Sequence, residues 1–98
     1  MTLDLNTSTF TKRMDEDTRE GEIARRNVLF GLWAGQHAGL KDDALEAYAL
    51  AVHIADLRSP GHDDVVAKVA TDLKACGKPM SDRQLRARFR EMAMRATL

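Results

Sequence analysis

Ninety-eight residues can enclose one hydrophobic core but not two, so a single domain is expected. Fifteen basic residues balance fifteen acidic ones, and this zero formal net charge argues against a general polyanion binder, whose affinity would depend on neutralising phosphates. The lone Cys76 excludes an internal disulfide framework, and no stretch approaches the ~18 apolar residues of a membrane helix.

With no basic start and apolar run typical of a signal peptide, the chain is expected in the cytoplasm, with no direct membrane insertion. The charge is unevenly spread. Between Met1 and Glu22 acidic residues outnumber basic ones, whereas from Ser81 onward Arg83, Arg86, Arg88, Arg90 and Arg95 outnumber Asp82 and Glu91. Opposite signs at the two ends fit an interaction surface or mutual neutralisation in one compact fold, and composition does not separate the two.

The opening MTLDLNTST is polar and lacks a sustained period, which reads as a frayed tail. Helical character could begin near Phe10, but the charged run to Glu22 is interrupted by Gly21, which costs about 1 kcal/mol against alanine inside a helix. Residues 1–21 are therefore expected to form a mobile N-terminal segment and residues 22–98 a helical bundle domain. From Glu22 to about Ala38, Ile23, Phe30, Ala34 and His37 share a stripe that Leu29, Leu32 and Trp33 broaden. Gly39 follows where a left-handed residue would end the helix.

Lys41, Asp42 and Asp43 open a second helix, the carboxylates complementing its positive dipole end. Its sequence carries two apolar stripes, Leu45, Tyr48, Val52 and Ala55 on one and Leu50, Ile54 and Leu57 on the other, so extensive burial is expected. Ser59, Pro60 and Gly61 stop it, because proline cannot continue the hydrogen-bond ladder. A third helix opens at His62, Asp63 and Asp64, with Val65, Val66, Val69, Leu73 and Cys76 as its expected core side, and Gly77 closes it. Ser81 and Gln84 have capping-box spacing, and the fourth helix would turn Leu85, Phe89, Met92 and Ala96 inward. Short turns between four helical segments describe an all-α, small four-helix bundle with a flexible N-terminal segment.

Catalytic chemistry finds few candidates. His37, His53 and His62 fall on three different elements without an HExxH pattern, so neither a catalytic group nor a metal site is expected. Cys76 lies near a helix C-terminus, whose negative dipole end discourages a thiolate, and reads as a packing residue. The glycines form neither a Walker loop nor GxGxxG, so no nucleotide cofactor is implied. The arginines of the last helix lack a second basic element with which to grip a backbone, which leaves them as a solvated face rather than a nucleic-acid surface. Trp33 is expected in the core. Arg25, Arg26 and Asn27 could pair within the bundle or present donors to another protein.

The string ARRNVLFGLWA at 24–34, with KDDALEAY at 41–48, SPGHDDVVAKV at 59–69 and the terminal SDRQLRARF, resembles the ATPase inhibitor subunit zeta family of alphaproteobacterial ATP synthases. The resemblance runs in order from about Glu22 to the C-terminus. It implies a non-enzymatic inhibitory subunit whose mobile N-terminal segment enters a catalytic interface of the synthase head and blocks rotation in the hydrolysing direction. Partners would be the alpha, beta and gamma subunits of that head, and the protein would lie peripherally at the inner face of the membrane. Phe10 and Met14 would be the apolar anchors and Lys12, Arg13, Asp15, Glu16 and Asp17 the polar flank, with Arg25 and Arg26 as further partner-binding residues. NTSTFTKRMDEDTREGE departs from the family's segment in having less phenylalanine and fewer helix formers. A regulatory or assembly adaptor, using the bundle surface to hold another protein or an anionic ligand, is the alternative reading.

Overall fold

The computed structural model describes residues 19–58 and 62–97. Within them lie four helices, α1 (Arg19–His37), α2 (Asp42–Arg58), α3 (His62–Ala75) and α4 (Asp82–Ala96), and no strand. Arg19, Glu20 and Gly21, ahead of the expected start at Glu22, already belong to α1. Gly21 does not interrupt it. The remainder of the expected mobile segment, 1–18, and the Ser59–Pro60–Gly61 stop lie outside the described residues.

Helix ends follow local chemistry. Gly39 and Gly77 adopt φ of 94° and 80°, the left-handed geometry that only glycine takes without a steric cost, and each lies two residues after a helix. The amides of Leu40 and Lys78 return to the carbonyls of Gly35 and Leu73, which closes the last turns of α1 and α3. Asp42 also has positive φ, 51°, a conformation that a short polar side chain tolerates better than most. At α4 the capping box is complete: Ser81 Oγ accepts from the Gln84 amide at 3.1 Å, and Gln84 Oε1 accepts from the Ser81 amide at 3.1 Å.

α1 packs along both α2 and α4, and α3 closes the bundle against the same two helices. Phe30, Ala34, Val52, Val65, Val66, Val69, Leu73, Leu85, Phe89 and Met92 fill the main core. The rings of Phe30 and Phe89 meet edge to face at 5.2 Å, a geometry that sets the positive ring edge against the negative face. A smaller cluster of Val28, Leu32, Leu45 and Ala49 lies between α1 and α2.

Two glycines make that contact close. A Cβ on Gly31 would come within 2.7 Å of the Ala49 Cα and 3.2 Å of Val52, and one on Gly35 would meet the Leu45 Cδ1 at 2.5 Å. The antiparallel pairing of Gly31 with Ala49 and Gly35 with Leu45 fixes the register in which α2 runs back along α1.

Three expected placements differ. Only one stripe of α2 is buried: Leu45, Ala49 and Val52 face inward, while Ile54 and Leu57 are 45% and 67% exposed. Two neighbouring helices cannot cover a helix all round, and α2 has α1 and α3. Cys76 is exposed rather than packed, because α3 ends at Ala75 and the chain is already turning there. His37 is exposed at the C-terminal end of α1, outside the core stripe to which its spacing assigned it.

Candidate functional site

Of the eight residues expected to bind a partner, Phe10, Lys12, Arg13, Met14, Glu16 and Asp17 lie outside the described residues. Arg25 and Arg26 are described, and both engage the bundle. Arg25 Nε donates to the Ala96 carbonyl at 3.0 Å, satisfying one of the oxygens that the end of α4 leaves without an intrahelical partner. The Arg26 guanidinium sits over the Phe89 ring, 4.6 Å from its centroid.

Arg26 is also the outer member of a buried polar network joining α1 to α2. Its Nε and Nη2 donate to Asn27 Oδ1 at 3.0 and 2.9 Å. That double donation fixes which end of the Asn27 amide is oxygen, so Nδ2 points the other way, donating to Asp56 Oδ2 at 3.1 Å and approaching His53 Nδ1 at 3.2 Å. Arg26 Nη2 lies 3.8 Å from the same Asp56 oxygen. With Asn27 Nδ2 as donor, His53 Nδ1 must be the acceptor, which puts the ring proton on Nε2. Burial pushes the His53 pKa below its ordinary value; the Asp56 charge opposes this, and the Arg26 charge adds to it. Asn27 is fully buried. A buried charge pair held by a neutral amide suits a structural junction, because every member is satisfied.

A second polar clamp joins α2 to α3. Tyr48 donates from its hydroxyl to Asp72 Oδ2 at 2.9 Å, and Lys68 Nζ lies 3.1 Å from the same oxygen. The Tyr48 hydroxyl is held far above its usual titration range, by burial first and by the Asp72 bond and charge after it. It stays protonated and acts as a donor.

The face shared by α1 and α4 carries an aromatic stack. Trp33 is half-buried, stacking on Phe30 at 5.8 Å and on His37 at 6.2 Å, with the Arg88 guanidinium 5.7 Å from its ring centroid. The expected core role of Trp33 is met in part, since it is half-buried and packs against the main core from its edge. Along α4, Arg86 pairs with Asp82 at 2.8 Å and Arg88 with Glu91 at 3.0 Å, so part of the basic face is neutralised within its own helix. No cluster of three potential metal ligands occurs among the described residues. Nor is any described helix long and apolar enough to cross a membrane.

Sequence reasoning left Arg25, Arg26 and Asn27 open between bundle and partner, and it missed His53 and Asp56 as their companions. The signal lay in the α1–α2 register, which Gly31 and Gly35 set and which four-residue spacing in one helix cannot reveal. No curated protein matches the chain. The sequence model of the ATPase inhibitor subunit zeta family matches residues 6–98 and thus nearly all of it. A four-helix bundle built around ARRNVLFGLWA and a match extending from the leader to the last residue together make this chain a member of the ATPase inhibitor subunit zeta family.

Proposed function

We propose that this protein suppresses ATP hydrolysis by a bacterial F-type ATP synthase by inserting its N-terminal segment, about Leu3 to Arg19, into a catalytic interface of the head. The single observation that carries this reading is the extent of the family match. It begins at residue 6 and so takes in Phe10, Lys12, Arg13, Met14, Glu16 and Asp17 as well as the bundle. A regulator of this kind needs no reactive constellation, only a body that presents a segment.

Phe10 and Met14, spaced by one helical turn, would enter apolar pockets between alpha and beta subunits and in reach of gamma. Lys12, Arg13, Glu16 and Asp17 would flank them with charge-assisted contacts. The bundle would remain outside, with Arg25 and Arg26 at the base of the inserted segment. Ordering the segment costs conformational entropy, which the new contacts offset. The synthase would hold the protein at the inner face of the membrane without any membrane-spanning segment of its own.

Deleting residues 1–18 tests this reading. The truncated chain should retain its helical circular-dichroism signal and its cooperative unfolding, and it should no longer suppress hydrolysis by purified synthase. Equal suppression by truncated and intact chains would rule out the leader as the inhibitory element.

A further inference from the structure

Among the described residues, two of the three large hydrophobic side chains left exposed belong to the second stripe of α2. Ile54 and Leu57, 45% and 67% exposed, stand three residues apart, and half-buried Leu50 lies four residues before Ile54. They form a continuous row along one side of the helix. The row ends beside the start of α1, because Asn27 bonds to His53 and Asp56 and the chain of α1 runs back from there to Arg19.

We propose that in the free protein Phe10 and Met14 rest on the Leu50, Ile54 and Leu57 row, so that the leader is stored on its own bundle until the synthase takes it. Reach permits this. Arg19 stands eight helical residues, about 12 Å, beyond Asn27, and neighbouring helix axes lie about 9 Å apart. The five residue steps from Arg19 back to Met14 span up to about 17 Å and the nine to Phe10 up to about 30 Å, enough for both to fold back over α2.

Area selects the tethered occupant over a free one. Three side chains offer far less than the roughly 800 Å² a side that a standard stable interface buries. A second copy or an untethered partner would gain too little there to remain bound. A segment joined to α1 needs no such area, since a short linker holds it at an effective concentration on the order of millimolar. The leader also carries a matching pair: Phe10 and Met14 are separated by four residues, as are Leu50 and Ile54.

The storage contact stands on this geometry alone, whereas its release to the synthase rests on the function proposed above. Both are tested with the full-length chain. A spin label on Ser8→Cys, placed in a Cys76→Ser background, should broaden the amide signals of residues 50–57, and Phe10→Ser with Met14→Ser should remove that broadening. Absence of broadening would overturn the proposal. So would broadening that appears on an unlabelled, isotope-enriched chain mixed with the spin-labelled one, since the occupant would then be a second copy.

The release arm uses Ile54→Ser with Leu57→Ser, two exposed positions outside the core. If storage hides about 70–90% of the leader, freeing it lowers the half-inhibitory concentration about 3- to 10-fold. Weaker inhibition by this variant would assign the row to contact with the synthase, and unchanged inhibition would show that storage does not compete; either result overturns the proposal as stated. Broadening that persists while a 1–18 deletion still inhibits would sink the insertion reading and leave the storage contact standing.

Discussion

Asn27 is the residue on which the α1–α2 junction turns. It is fully buried, it orients the Arg26 guanidinium, and it separates His53 from Asp56 by donating to both. Replacing it with alanine leaves a buried guanidinium and carboxylate without their neutral intermediary. A loss of about 2–4 kcal/mol in urea unfolding is expected, more than a neutral hydrogen bond and less than a wholly unpaired charge. His53 supplies a pH dependence. Its folded pKa lies below the unfolded value, so the unfolded chain binds more protons and stability rises with pH in this window. The contribution is fully present above the ordinary value of about 6.5 and is lost as pH falls below it toward the folded pKa. Unfolding midpoints measured from pH 7.5 down to 5 should fall, and His53→Gln should reduce that fall; an equal fall in the variant would remove His53 as its source.

Among the helices, α1 and α2 approach closely at Gly31 and Gly35. Alanine normally improves a helix by about 1 kcal/mol over glycine, but at Gly31 the added methyl would stand 2.7 Å from the Ala49 Cα, and backbone cannot rotate away. Overpacking of this kind costs about 1–3 kcal/mol and should exceed the propensity gain, so Gly31→Ala is expected to lower the thermal midpoint. A stabilised variant would mean that the two helices separate easily. Ser81→Ala, by contrast, removes only the cap of α4, with an expected loss of about 1 kcal/mol. The same comparison shows what the sequence makes legible. Gly39, Gly77 and the Ser81–Gln84 cap are local devices, readable because each depends on a few adjacent residues. The inward side of α4, Leu85, Phe89, Met92 and Ala96, is equally readable because most of its other positions are charged, with Met94 the one large apolar side chain left outside. α2 has two apolar stripes of similar strength, and only packing against α1 and α3 decides which is buried. The Arg26–Asn27–His53–Asp56 network needs that register too, so no single-helix pattern announces it.

As a whole, the molecule combines a bundle whose described buried polar side chains are all hydrogen-bonded with a leader whose proposed role rests on family membership. Within the body, Arg25 is held by the Ala96 carbonyl and Arg26 by Asn27 and the Phe89 ring. The family resemblance carried the functional reading further than physics alone, because Phe10, Met14 and their charged flank have no local signature beyond weak helicity. In the function proposed above, their significance lies in a second macromolecule. Amide hydrogen exchange of the full-length chain, with and without purified synthase head, tests this most directly. Residues 10–17 should gain about 100-fold or more in protection when the head is added, while α1 to α4 keep the protection they already have. A leader that exchanges as before, with new protection confined to the bundle surface, would contradict the account.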